Sequence, residues 1–308
     1  MSEITIITAF FDIGRGDFSH LKRSNISYVE YFKFWARMRN RLIVYTTVEF
    51  AKIVKLIRTE FGLSDRTTIV IIDDIFAKEK MLFQKMEEVS QNQNFRKFRF
   101  HPNALENEAK YNYVMLMKYW CMADAVENNL ANGTLAWMDF GMNHGGSLYA
   151  NALEFDFLWE SPFVNDKIHL FGLTTMENIC VANLLASLAV CITGYQFIVP
   201  DYHCKTLWLL VKQAMNSLIS LDCIDDDQML LTMAYRTKPE LFEIHVCDWF
   251  MALKISGGVH LSIRDHAQSR NYIIGALKLK RFEIIKWIEL LKYGINTTMR
   301  MRELRKLQ

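Results

Sequence analysis

The chain has 308 residues, 51% of them apolar and 23% charged, with a formal net charge of +2. That length and apolar content exclude an intrinsically disordered chain, and the length buries a large core with no need of disulfide staples. The near-neutral balance excludes a dedicated nucleic-acid binder, which shows a strongly basic face.

The N-terminus, MSEITIITAFF, lacks the basic region and small-residue cleavage site of a secretory signal. It predicts a strand from Ile4 to Phe11, ended by the polar, glycine-containing loop Asp12 to Asp17. Aromatic residues at helical spacing follow (Tyr28, Tyr31, Phe32, Trp35), then a strand from Arg41 to Thr47, a helix from Val48 to Phe61 and a strand from Thr67 to Ile72. Ile75 to Arg99 is polar and helical. Asn107 to Asn129 predicts a long helix, Asn132-Gly133 a turn, and Thr134 to Met138 a buried strand ending in Asp139-Phe140-Gly141.

The second half is less regular. Strands are expected at Lys167 to Gly172, Leu241 to Val246 and Gly258 to Ile263, and helices at Cys204 to Leu221 and Met229 to Tyr235. Asn178 to Pro200 carries no charge and is long enough to span a bilayer, but Asn178, Asn183, Ser187, Thr193 and Gln196 interrupt it. It reads as a buried helix followed by a strand from Tyr195 to Val199. Alternating strands and helices predict an α/β fold: one Rossmann-like domain, with a central, mostly parallel mixed sheet covered by helices on both faces.

Residues 1–275 read as that domain and 276–308 as a basic helical extension. From Ala276 onward the chain has nine Lys or Arg against three acids. Such a tail suits an anionic membrane surface, and equally a solvated helix. The six cysteines are widely spaced with no CxxC pair, as free thiols of a reducing, cytoplasmic compartment are. The aromatic content of 13% permits a homodimer.

Asp139 is the first candidate for chemistry. A carboxylate at the C-terminal end of a buried strand stands where open α/β sheets bind ligands. It suits Mg2+ or Mn2+ bridging a diphosphate, and it equally suits a turn cap. Asp225-Asp226-Asp227-Gln228 is the second. Crowded carboxylates raise one another's pKa, which suits a general base, whereas an Asp at a helix start also serves as its N-cap. Arg15, among glycines at a strand end, and Lys118, on the helix before Asp139, are candidate phosphate ligands. The eight histidines are dispersed; His245-Val246-Cys247 and His260 match no zinc spacing, though His260, after Gly257-Gly258, is a candidate third metal ligand. Gly194-Tyr195 and Gly257-Gly258 mark turns or close backbone approach.

Three stretches, TAFFDIGRGD (Thr8 to Asp17), NYVMLMKYWCMADAV (Asn112 to Val126) and WMDFG (Trp137 to Gly141), resemble the HtrL/YibB family, from the first strand to the Gln228 region. The family is found near lipopolysaccharide-core genes of enteric bacteria and is similar to the GT-A glycosyltransferase superfold. The resemblance implies transfer of a hexose from a nucleoside diphosphate sugar, with UDP-sugars favoured, to a saccharide acceptor of the bacterial surface, lipid-linked in one form. It implies Mn2+ or Mg2+ on Asp139, with His260 or water as a further ligand. Thr8, Ala9, Phe10 and Phe11 would hold base and ribose, with Asp12, Arg15, Lys118, Phe140 and Gly141 completing the donor site. Asp226 or Asp227 would orient or deprotonate the acceptor. Gly141 stands where a full DxD motif has its second Asp. A cytoplasmic protein, peripheral at the inner face of the membrane, is the implied setting. A non-catalytic glycan- or partner-binding protein of the same fold is the alternative.

Overall fold

The computed structural model describes residues 2–17, 24–101, 103–163, 165–176, 179–248 and 251–264. The basic extension 276–308 and its boundary with the domain lie outside the described residues. In chain order the elements are β1 (Ser2–Glu3), β2 (Thr5–Phe10), α1 (Asn25–Trp35), β3 (Leu42–Thr46), α2 (Val48–Glu60), β4 (Thr67–Ile71), α3 (Lys80–Gln91), α4 (Gln93–Phe98) and α5 (Ala109–Glu127). Then come β5 (Thr134–Met138), β6 (Glu160–Ser161), β7 (Ile168–Gly172), α6 (Val181–Ser187), β8 (Gln196–Pro200), α7 (Asp201–Ile219), α8 (Asp227–Thr237), β9 (Phe242–Val246) and α9 (Ala252–Ile255).

Seven strands form one sheet in the order β4-β3-β2-β5-β8-β7-β9. Neighbours pair in parallel except β8, which runs antiparallel to both β5 and β7. β1 and β6 make a separate two-stranded ribbon. β3 and β7 are buried along their whole length, which is why they read as unbroken apolar runs. Alternate side chains feed two cores. Ile7, Trp137 and Leu170 face α3, α5, α7 and α8, while Ile6, Met138 and Phe171 face α1, α2 and α9. The predicted α/β class, mixed sheet and double covering are therefore present.

From β2 the chain steps outward through β3 to β4, whereas β5 lies on the other side of β2. The order reverses between β2 and β5, and a crevice opens at their carboxyl ends.

One buried cation closes the far side of the fold. Arg58 of α2 is 1% exposed. Its guanidinium donates to the carbonyls of Ala36 and Met38 at 2.7 Å, of Asn40 at 3.0 Å and to Thr67 Oγ1 at 2.7 Å. Burial lowers its pKa to about 10.

One expectation differs from the structure. Gly258 to Ile263 is a turn rather than a strand, with a single bridge from Ile263 to Tyr149. Gly257 (φ +131°) sits so close to Glu160 that a Cβ would meet its carbonyl oxygen at 2.6 Å, and this close approach bends the chain. The uncharged stretch before Pro200 holds a helix and then a strand, as its pattern predicts: the seven-residue α6 and β8. No described helix is long and apolar enough to cross a membrane.

Candidate functional site

The crevice is a cleft of about 260 Å³, near the low end for small-molecule sites. Its walls come from the end of β2 (Ala9, Phe10, Phe11, Asp12), the loop after β5 (Asp139 to His144), α5 (Tyr111, Lys118), Gly194-Tyr195 before β8, and the start of α8 (Asp227, Gln228). Four of these five segments, all but Gly194-Tyr195, are ones the sequence singled out for chemistry, and the sheet order brings them together.

Asp139 caps the end of β5. Its N–H donates to the Tyr195 carbonyl at 2.9 Å, which fixes the turn. Oδ1 accepts from Trp137 Nε1 at 2.7 Å and pairs with Lys118 Nζ at 2.8 Å. The side chain is 31% exposed, so the carboxylate reaches the cleft while one oxygen is held.

Lys118 is not a solvated helix lysine. It is 3% exposed, and its ammonium also contacts Asp227 Oδ2 at 2.5 Å and the Gly194 carbonyl at 3.1 Å. Burial opposes its charge, but Asp139 and Asp227 outweigh burial and raise its pKa. Asp227 lies so close to Gly194 that a Cβ there would stand 2.6 Å from its Cγ. Glycine at 194 is what lets the strand pass the ion pair.

The Asp cluster divides. Asp227 lines the cleft floor. Asp226 is the N-cap of α8, its Oδ1 accepting from Gln228 N at 3.2 Å, and it faces a separate void of about 20 Å³. Asp225 pairs with buried Arg99 at 3.1 Å. Burial raises all three carboxyls: Asp225 to about 6 against the pull of Arg99, Asp226 well above its ordinary value with Asp227 and Asp225 adding, and Asp227 despite Lys118.

The aromatic wall is built on stacking. Phe10 stacks on Phe140 (4.9 Å), Phe140 on Phe32 (4.5 Å), and Tyr28 lies 5.1 Å from Phe10. Glycine at 141 lets the Tyr28 ring approach, because a Cβ there would meet Tyr28 Cε1 at 2.9 Å. Arg15 lines the mouth, hydrogen-bonded to the Tyr28 hydroxyl and set 5.5 Å over the Tyr111 ring. Burial, with Asp226 and Asp227 adding, keeps the Tyr111 phenol protonated. Asp12 accepts from Gly14 N (2.8 Å) and Asn25 Nδ2 (2.7 Å), which shapes the first loop.

Two expected residues stand elsewhere. Thr8 is fully buried within β2, one residue short of the cleft. His260 packs against Phe157 and bonds to the Glu154 carbonyl, outside the cleft lining. The histidine at the cleft is His144, exposed and against Tyr31. It follows Asn143, and both have left-handed backbone (φ 42° and 66°). Asn143 secures this loop by accepting from Leu148 N and Tyr149 N and donating to the Tyr149 carbonyl. Asn can adopt such a φ more readily than most residues, which was the one sequence signal for the loop.

Counting Asp, Glu, Lys and Arg, the lining holds Asp12, Asp139 and Asp227 against Arg15 and Lys118. The cleft is thus not cationic by itself, and an anionic ligand there would need added positive charge. Asp139 and the open cleft fit a divalent cation that draws its remaining oxygen ligands from diphosphate and water. They do not fit an ion caged by protein alone.

A family described as "Bacterial protein of unknown function (HtrL_YibB)" matches residues 2–257. The chain belongs to that family. It is 30% identical over 260 residues to Protein HtrL of Escherichia coli (strain K12), covering 79% of this chain and 88% of the relative. Among solved structures, mouse xyloside xylosyltransferase 1 in its apo form is similar with a TM-score of 0.40 at 11% identity, over 81% of this chain and 90% of that one. A glycosyltransferase involved in glycosylation of the major capsid of PBCV-1 is similar with a TM-score of 0.37 at 12% identity, over 79% and 82%.

Proposed function

We propose that the protein is a glycosyltransferase that moves a hexose from a nucleoside diphosphate sugar, a UDP-sugar in the first instance, to a saccharide acceptor of a bacterial surface glycan. The observation that carries this reading is Asp139: a half-buried carboxylate at the end of β5, opening into a cleft at the sheet's switch point.

The aromatic wall of Phe10, Phe11 and Tyr28 offers faces for a nucleobase. Arg15 at the mouth contributes a cationic fork for phosphate oxygens. Asp139 would hold a Mn2+ or Mg2+ ion carried by the diphosphate, which neutralises the charge developing on the leaving group. The acceptor hydroxyl oxygen bonds to the anomeric carbon as the bond from that carbon to the diphosphate breaks, and the hydroxyl proton passes to Asp227 or to the departing diphosphate. Lys118, locked between Asp139 and Asp227, keeps Asp139 oriented and is a positioning residue rather than a direct phosphate ligand. Of the Asp cluster, Asp227 and Gln228 face the acceptor side of the cleft, and Asp226 supports them as the helix cap. The basic tail 276–308 would rest on the anionic inner face of the cytoplasmic membrane, bringing the cleft to a lipid-linked acceptor.

The test is thermal unfolding with a panel of nucleoside diphosphates and their sugars, with Mn2+ and with a chelator. A nucleotide at a hundredfold its Kd stabilises by about 2.7 kcal/mol. The expected shift occurs with one nucleotide and vanishes on chelation and in Asp139→Asn. No shift with any nucleotide would overturn the reading. Weight would then pass to a glycan-binding protein without catalysis, which glycine rather than a second carboxylate at position 141 favours.

A further inference from the structure

Three side chains outside the cleft converge near the sheet's edge. His169 is on β7, and Glu243 and His245 are on the edge strand β9. The parallel register sets His169 beside Glu243 and Phe171 beside His245. Positions i and i+2 of a strand share a face, so all three project to one side of the sheet.

There the ligand atoms meet. His169 Nδ1 is 3.0 Å from His245 Nε2 and 3.8 Å from Glu243 Oε2, and the three ligand atoms all lie within 4.8 Å of one another. Ions with metal–nitrogen bonds of about 2.0–2.1 Å hold neighbouring tetrahedral ligands roughly 3.3 Å apart. The observed spacing brackets that value.

The surroundings are arranged around the three. Asn165 Nδ2 donates to Glu243 Oε2 at 2.5 Å, holding the carboxylate as outer-shell partners hold metal ligands. The Phe163 ring stacks on both imidazoles, 4.2 Å from His169 and 4.3 Å from His245, and fixes their planes. Burial, helped by His245, depresses His169 to about 4 against the opposing pull of Glu243; burial lowers His245 as well. His169 Nε2 is buried with no hydrogen-bond partner, so hydrogen bonding satisfies only one side of this ring.

We propose that His169, His245 and Glu243 bind one divalent transition-metal ion of the zinc class, which ties the edge strand β9 to β7. Two imidazoles and one carboxylate select such an ion over Mg2+ or Ca2+. Glu243 is 44% exposed, so a fourth position remains open to water. None of the three residues lines the cleft of Asp139, and the site is independent of the glycosyltransferase reading.

The experiment uses the full, tag-free chain stripped with a chelator. Co2+ is titrated while its visible absorption is followed, and Zn2+ then competes against a chromophoric chelator. One equivalent of Co2+ should bind with the intense visible bands of a four- or five-coordinate site, and Zn2+ should displace it and raise the unfolding temperature. His245→Ala and Glu243→Gln, both at partly exposed positions, should each weaken binding at least about tenfold, while Asp139→Asn leaves it unchanged. Two variants guard against one that misfolds, and the metal-free unfolding temperature of each reports on that. Absence of Co2+ binding to the wild-type chain, or the same spectrum and stoichiometry in a folded His245→Ala or Glu243→Gln, overturns the proposal.

Discussion

Lys118 Nζ and Asp227 Oδ2 are 2.5 Å apart, and both side chains are 3% exposed. The pair joins the middle of α5 to the first turn of α8 beneath the cleft, and Asp139 completes it from β5 at 2.8 Å. Removing the cation alone leaves buried Asp227 unpaired and facing the Asp139 carboxylate. Lys118→Met is therefore expected to destabilise the protein by about 3–5 kcal/mol, as read by urea unfolding. Asp227→Asn leaves Lys118 with Asp139 and should cost less. An equal loss in the two variants would mean that the triad does not act as a unit.

Asp226 has the opposite sign. It is buried, caps α8, and no cation pairs with it among the described residues. Its folded pKa lies well above its ordinary value, chiefly through burial and then through Asp227 and Asp225. The folded state thus prefers the protonated form. Its contribution to stability is fully present below the ordinary carboxylate range and is lost as pH rises through the folded pKa. Asn caps a helix as well as Asp does and stays neutral. Asp226→Asn should therefore be more stable than wild type at pH 7, by on the order of 1–3 kcal/mol, with the gain gone near pH 3. Asp225, raised to about 6, adds a decline of the same sign between roughly pH 4 and 6. Urea midpoints across that range test both statements.

Gly141→Asp would complete the two-carboxylate spacing of a DxD motif. Yet Tyr28 Cε1 lies 2.9 Å from the position of a Cβ, and the Tyr28 hydroxyl also holds Arg15. The substitution should displace Tyr28 and, with it, Arg15. Nucleotide affinity is expected to fall about tenfold or more, with no tighter Mn2+ binding, by calorimetric titration. Tighter Mn2+ binding with unchanged nucleotide affinity would mean that the ring yields without consequence.

What could be read from the sequence follows the range of each interaction. Asp139 was legible because strand, carboxylate and glycine are contiguous, and β5 falls at Thr134–Met138 as the pattern predicts. Gly194 and Gly257 announced close approaches, but not that Asp227 and Glu160 were the groups approaching. Lys118 was legible as a candidate phosphate ligand but not as a buried ion-pair residue, since its partner Asp227 is 109 residues away. His245 matched no local metal spacing because the histidine facing it, His169, comes from another strand 76 residues earlier. His260, placed after two glycines, reads like a ligand yet stands outside the cleft, whereas His144, two residues beyond Met142 in the loop after β5, lines it. Local pattern fixes elements; register and sheet order decide which side chains meet.

Arg58 is a case where charge is retained for geometry. Its planar fork reaches three carbonyls at the end of α1 and in the loop to β3, and Thr67 at the start of β4. Lysine keeps the charge but offers one ammonium in place of a fork, so it cannot serve these acceptors from a single position. Arg58→Lys should leave at least one of these buried carbonyls unpaired, costing about 1–3 kcal/mol. Arg58→Met should cost more, because every acceptor is orphaned at once. Because these acceptors lie around β3 and β4, away from β5, nucleotide-induced stabilisation should survive in Arg58→Lys even as the unfolding midpoint falls. A parallel loss of nucleotide response would show instead that this end of the sheet sets the shape of the cleft.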